Sequence, residues 1–238
     1  MHIESAPPML RVEGLQAWYD ESHVLHGIDL EVREGETVTL LGRNGAGKST
    51  TLKSIIGMMR RRSGSVRFEG RETIAMPSRL ISRLGIGFVP EERGIYASLN
   101  VEENLLLPPR IRDSGMSVAQ IFELFPNLRE RLKSQGTTLS GGEQQMLAIG
   151  RILRTGAKLL LLDEPTEGLA PVIVEQIGRT IERLKREGFT IILVEQNIRF
   201  AASVADRHYI VEEGRVVDLI PNAALEANAE KLKKHLGV

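Results

Sequence analysis

The run Gly42-Arg43-Asn44-Gly45-Ala46-Gly47-Lys48-Ser49 follows the pattern G-x-x-x-x-G-K-[ST]. Glycines at these positions let successive backbone N–H groups turn toward phosphate oxygens. A helix starting at Lys48 adds the positive end of its dipole. The Lys48 ammonium neutralises the outer phosphates, the Ser49 hydroxyl is a ligand for Mg²⁺, and Thr50 follows on the same turn. Further along, Leu159 to Leu162 is an apolar run that ends in the adjacent acids Asp163 and Glu164. Such a strand delivers both carboxylates to the carboxyl edge of a parallel sheet, where open α/β folds bind ligands. Asp163 suits Mg²⁺ and Glu164 suits a general base that polarises an attacking water. A third segment, Leu139-Ser140-Gly141-Gly142-Glu143-Gln144-Gln145, opens a helix with a serine and two glycines. That is a second anion-binding surface, and a single chain has no need of it for the same phosphates.

These groups need a scaffold, and the spacing of apolar residues supplies one. Leu10, Val12 and Leu15, followed by Ile28, Leu30 and Val32 alternating with Asp29, Glu31 and Arg33, predict half-buried antiparallel strands. Thr37 to Leu41 reads as a strand buried on both faces, followed by the glycine loop and a helix from Lys48 to about Gly57. Ile86 to Val89 reads as a strand. Val101 to Leu107, Val118 to Phe125 and Leu128 to Leu132 read as short helices set apart by prolines and Gly115. After Ser140 come a helix to Leu153 and the strand Leu159 to Leu162. A helix carrying Val172, Ile173, Ile177, Ile181 and Leu184 on one face and the strand Thr190 to Val194 follow. Strands alternating with helices imply a parallel sheet. Tyr209 to Ile220 predicts a hairpin turning at Gly214, and Ala223 to Leu236 a closing helix.

Composition narrows the function further. The 238 residues suit one nucleotide-binding domain, residues 1–238, with a helical subdomain inserted near 92–157. Lys+Arg 31 and Asp+Glu 31 cancel, which leaves no overall basic field for a nucleic-acid partner. With no cysteine there is neither a disulfide framework nor a cysteine zinc site. Met1 to Leu10 lacks a cationic leader, and no apolar run approaches the ~20 residues that span a bilayer. The chain therefore reads as soluble and cytoplasmic, reaching a membrane only through partners.

Taken together, the order and spacing of these segments resemble an ABC ATPase, across nearly the whole chain. The resemblance implies an α/β P-loop fold with a parallel-sheet core, an N-terminal antiparallel β subdomain and a helical signature subdomain. It also implies that Gly42, Asn44, Gly45, Ala46, Gly47, Lys48, Ser49 and Thr50 hold ATP with Mg²⁺, and that Ser140, Gly141 and Gly142 cap the γ-phosphate held by an opposite subunit. An aromatic that stacks on adenine is expected upstream. Trp18 and Tyr19 face opposite ways on a strand, and position favours Tyr19.

Three positions depart from the common pattern of that family. Glu91, in Val89-Pro90-Glu91-Glu92-Arg93, stands where a glutamine is usual. As a carboxylate it either ligates Mg²⁺, balanced by the metal or by Arg93, or points away and shapes the loop. Gln196 replaces a histidine that contacts the γ-phosphate, keeping a hydrogen-bond donor but no positive charge. Ala170 stands in place of an aspartate. The combination Val-Pro-Glu, Glu-Gly-Leu-Ala-Pro and Val-Glu-Gln-Asn resembles one ATPase subunit of branched-chain amino acid importers. Urea and amide importers are the nearest competitor, and a soluble non-transport ABC ATPase or an assembly module with negligible turnover are the other readings. The resemblance implies a second, non-identical ATPase subunit, with a homodimer as the alternative for the isolated chain. It further implies two membrane permeases that hold the chain at the inner face of the membrane, and an external solute-binding protein.

Overall fold

The first two strands, β1 (Leu10–Tyr19) and β2 (Ser22–Val32), form an antiparallel hairpin in which Leu10, Val12, Leu15 and Ala17 are buried and the residues between them face outward. This is a computed structural model, and it describes residues 7–236. Most of the Met1 to Leu10 reading, and both ends of the 1–238 domain, lie outside the described residues. The strand β4 (Arg61–Phe68) pairs antiparallel with β1, and the two-residue β5 (Arg71–Glu72) closes this sheet in the order β2-β1-β4-β5.

A second sheet has the order β10-β9-β3-β8-β7-β6. Its members are β3 (Thr37–Leu41), β6 (Ile86–Val89), β7 (Leu159–Asp163), β8 (Thr190–Glu195), β9 (Arg207–Glu212) and β10 (Arg215–Pro221). The first five run parallel, and β10 returns antiparallel to β9 through Gly214. Every residue of β3, β7 and β8 is buried, as expected for central parallel strands covered on both faces.

The period of two divides β7 between two cores. Leu159 and Leu161 join Val38, Leu40, Ile192 and Val194 against the antiparallel sheet and α1 (Lys48–Ile55). Leu160 and Leu162 join Ile191 and Leu193 against the helices. Those helices are α3 (Val101–Leu106), α4 (Val118–Leu124), α5 (Pro126–Glu130), α6 (Gly141–Thr155), α7 (Pro171–Arg186) and α8 (Ile198–Val204). α2 (Ser78–Leu84) precedes β6, and α9 (Ala229–Leu236) caps a small cluster of Leu41, Ile210, Ile220, Leu225 and Leu232.

Two helix predictions shift. The segment read as Leu128 to Leu132 is helical over Pro126–Glu130, because Pro126 has its φ set for a first helical turn and gives up no needed N–H. The closing helix read from Ala223 begins only at Ala229, after two 3₁₀ turns at Asn222–Ala224 and Glu226–Asn228. Asn222 is held elsewhere: its amide donates to the Ala202 carbonyl at 3.0 Å and its Oδ1 faces the buried His208 at 3.0 Å.

Candidate functional site

The carboxyl ends of β3, β7 and β8 lie side by side, with Leu41 opposite Glu195 and Asp163 opposite Val194. The loop after β3 hugs its neighbours. A Cβ on Gly42 would sit 2.2 Å from the Val211 carbonyl, and one on Gly47 would sit 2.8 Å from the Leu25 side chain at a φ of +105. No other residue fits these two positions. The loop leads into α1 at Lys48, whose ammonium donates to the carbonyls of Gly42 (2.9 Å) and Arg43 (3.1 Å) and lies 3.7 Å from Glu164. Burial lowers the Lys48 pKa, and the carboxylates of Glu164 and Asp163 oppose that shift.

The two acids after Leu162 have different settings. Asp163, 1% exposed, accepts a hydrogen bond from Ser49 Oγ at 2.8 Å. Burial pushes its pKa up to about 6; the Ser49 bond and Lys53 pull the other way, and Glu164 and Glu91 add to the rise. Glu164 adopts a φ of +45, a left-handed conformation costly for a residue with a Cβ, and its N–H donates to the Val194 carbonyl at 3.1 Å. Its carboxylate lies between Lys48 and Gln196, whose Nε2 donates to Glu164 Oε2 at 2.7 Å.

Lys48, Ser49, Glu164 and Gln196 line one cleft of about 460 Å³, together with Tyr19, the rest of Asn44 to Thr50 and Glu91, whereas Gly42 and the buried Asp163 are not among its lining residues. Tyr19 is 47% exposed at its lip. Trp18 turns to the other face, stacked on His23 at 4.4 Å between ring centroids, with the Arg61 guanidinium 4.8 Å from its ring. Val24 and Glu167 also border the cleft. Sequence reasoning missed both, since nothing in a strand residue of β2 or a loop acid marks it as facing phosphates.

The Ser140 segment does not border this cleft. Ser140 caps α6, with its Oγ accepting from the Glu143 N–H (3.3 Å) while Glu143 accepts from the Ser140 N–H (2.8 Å). Burial tends to raise the Glu143 pKa, but these bonds and Arg131 lower it overall. Gly142 leaves room for α7, since a Cβ there would lie 2.9 Å from Ile173. Of the two partners considered for Glu91, a metal or Arg93, Arg93 turns elsewhere. Its guanidinium turns to α6, donating to Gln144 Oε1 at 3.3 Å and lying 3.2 Å from where a Cβ on Gly141 would stand.

The donor set suits a cation that keeps most of its ligands outside the protein. Among the described residues no group of three or more His, Cys, Asp or Glu side chains could hold a metal. Ser49 and Asp163 instead present a paired hydroxyl and carboxyl beside Lys48, with Glu91 on the same wall. Mg²⁺ is commonly bound in this way, through one or two oxygen ligands plus substrate phosphates and water.

Known proteins resemble this chain in sequence and in fold. Residues 25–167 match the profile of the family described as ABC transporter. The chain is 47% identical over 232 residues to the high-affinity branched-chain amino acid transport ATP-binding protein BraG of Pseudomonas aeruginosa, covering 96% of this chain and 100% of that one. It is 38% identical to the probable branched-chain amino acid transport ATP-binding protein LivF of Archaeoglobus fulgidus, covering 95% of each. Among solved structures, a nucleotide-free ATP-binding cassette from an ABC transporter superposes with a TM-score of 0.83 at 23% identity, over 98% of this chain and 99% of that one. That likeness speaks for the fold alone.

Proposed function

The chain belongs to the ABC transporter family, as an ATP-binding ATPase subunit, and from that premise we propose that it energises uptake of branched-chain amino acids through partner permeases. The observation that carries the ATPase reading is a cleft lined by Lys48, Ser49 and the Glu164–Gln196 pair, with the buried Asp163 bonded to Ser49. The substrate reading rests on the two relatives named for branched-chain amino acids.

In this reading the loop from Gly42 to Thr50 cradles the phosphates of ATP, Lys48 faces the outer phosphates, and Tyr19 offers its ring to the adenine. Ser49 and Asp163 hold Mg²⁺, with Glu91 as a third oxygen donor on the same wall. The metal supplies charge neutralisation on the phosphates when bound. Glu164 is the general base toward the attacking water, and the Gln196 amide orients its carboxylate. Ser140, Gly141 and Gly142 face a nucleotide held by a second ATPase subunit, because they do not border their own chain's cleft. The helices within 92–157 form the unit that docks a permease. No helix among the described residues is long and apolar enough to cross a membrane, so the contact with the bilayer falls to the permeases.

The test is to co-express the chain with candidate permeases and a second ATPase subunit and to measure phosphate release in proteoliposomes. The stimulus is a solute-binding protein loaded with leucine, isoleucine, valine or urea. Stimulation by the three branched-chain ligands is expected. Stimulation by urea alone overturns the substrate reading, and no ATP-dependent phosphate release overturns the ATPase reading.

A further inference from the structure

We propose that Glu195 is a positioning residue for ATP hydrolysis, which pairs with Thr166 to lock the loop carrying Glu164 onto the end of β8. The inference rests on the ATPase reading above and names two residues which that reading leaves without a task. Glu195 ends a strand whose four preceding residues, Ile191 to Val194, are apolar, and it is only 3% exposed. A carboxyl group in that place is costly to desolvate, and no cation pairs with it directly among the described residues. Its one short partner is the Thr166 hydroxyl, which donates to Oε1 at 2.7 Å and is itself buried. The Asn197 N–H approaches Oε2 at 3.5 Å.

The placement of this pair explains its use. Thr166 lies two residues after Glu164, and Glu195 lies immediately before Gln196. The same two loops are thus tied twice by side chains, at Glu164–Gln196 on the cleft side and at Thr166–Glu195 behind it, and once by the backbone bond from Glu164 to Val194. The cleft-side tie involves an exposed glutamine, and in contact with water such a bond holds its partner only weakly. The tie behind it is shielded, where a hydrogen bond is stronger and its geometry better fixed. Glu164 also needs such a restraint, because a left-handed backbone at a non-glycine residue persists only where its surroundings over-determine it. Burial pushes the Glu195 pKa up to about 7, with the Thr166 bond opposing. Burial thus favours the protonated carboxyl group, which a glutamine resembles in charge while keeping the acceptor oxygen.

The experiment measures kcat, KM and ATP affinity in the assembled transporter for Thr166→Val, Thr166→Ser, Glu195→Gln and Gln196→Ala, and for Thr166→Val combined with Gln196→Ala. Thr166→Val keeps shape but loses the donor. It is expected to lower kcat about tenfold or more with ATP affinity within about twofold, the signature of a transition-state effect. Thr166→Ser and Glu195→Gln, which retain the bond, are expected to keep most of kcat. The double variant is expected to fall well short of the product of the two single losses, since both act through Glu164. A normal kcat in folded Thr166→Val overturns the proposal. So does a Glu195→Gln enzyme as impaired as Thr166→Val, which would assign Glu195 a proton-transfer role instead. If the unaltered complex releases no phosphate, the ATPase reading fails first and the inference falls with it.

Discussion

At the scale of single residues, Lys48 and Glu164 line the cleft while Asp163 and Glu195 are buried outside its lining, and each has a separable consequence. Lys48→Ala removes the ammonium but leaves the backbone cradle, and charge-assisted bonds of this kind contribute ~1.5–3 kcal/mol. ATP affinity, read by titration with a fluorescent analogue, is expected to fall by about one to two orders of magnitude. An unchanged affinity in a folded variant would take the loop out of the mechanism. Glu164→Gln should act on a different quantity, because a general base works in the transition state. ATP affinity is expected to hold while single-turnover hydrolysis drops by ~10²–10⁴-fold. The two buried acids give a third test. Asp163 is raised from 3.8 to about 6 and Glu195 from 4.5 to about 7, burial being the main cause in both. Each folded value lies above the unfolded one, so the folded state binds more protons between them. Its stability is greatest at the acid end of each window and falls as pH rises through about 6 and about 7. In EDTA and without nucleotide, the melting temperature is therefore expected to climb as pH is lowered from 8 to about 5.5. Glu195→Gln should keep only the lower, Asp163 part of that climb. The buried His208, whose pKa burial lowers, works against this climb as pH falls. The test is therefore the difference between the two proteins: a Glu195→Gln profile that climbs as far as the parent's would contradict the Glu195 burial.

At the scale of elements, the site depends on how closely strands and helices approach one another. A Cβ on Gly87 of β6 would lie 2.1 Å from the Ile152 side chain on α6. Gly87→Ala should accordingly cost about 1–3 kcal/mol in urea unfolding, although Gly87 does not border the cleft. A stability within error of the parent would mean that β6 and α6 can separate freely. The same closeness explains what the sequence could and could not reveal. The glycine loop, the β7 acids and the Ser140 cap are contiguous, and their meaning comes from local backbone geometry, so they were legible. β7 and α7 were equally plain, because long apolar runs and a one-sided stripe survive without knowledge of neighbours. β4 was not, since Arg61 to Ser65 are polar and only Val66 and Phe68 are buried; its existence comes from backbone pairing with β1. α2 buries Ile81 alone, and α8 (Ile198–Val204) is too short for its buried Phe200, Ala201 and Val204 to stand out as a stripe along the sequence. The side-chain ties Glu164–Gln196 and Thr166–Glu195 were hidden for a related reason, because they follow from β7 and β8 being neighbours rather than from any spacing along the chain.

At the scale of the whole molecule, the two segments proposed to bind anions, the loop before Lys48 and the start of α6 at Ser140, do not border the same cleft. A fifteen-residue helix directs its dipole and free N–H groups at whatever lies before Gly141, and the chain's own cleft is bordered by other residues. On the proposed reading, two cassettes face each other, each α6 closes on the nucleotide of the other, ATP is the bridge and its hydrolysis releases the pair. Ser140→Arg separates the two surfaces experimentally. The longer cationic side chain fills the space before α6, while the cleft around Lys48 is untouched. ATP affinity of the isolated chain is therefore expected to stay within about twofold, and ATP-dependent pairing to disappear in size-exclusion runs with and without the nucleotide. The substitution also removes a helix cap, which costs ~1 kcal/mol by itself. Ser140→Ala controls for that loss, because it removes the same cap without adding bulk or charge, and it should still pair when ATP is present. If Ser140→Arg pairs as readily as the parent, the start of α6 does not act on a partner's nucleotide. If instead it loses ATP binding by the isolated chain, the segment serves its own cleft, and the separation of the two surfaces is wrong.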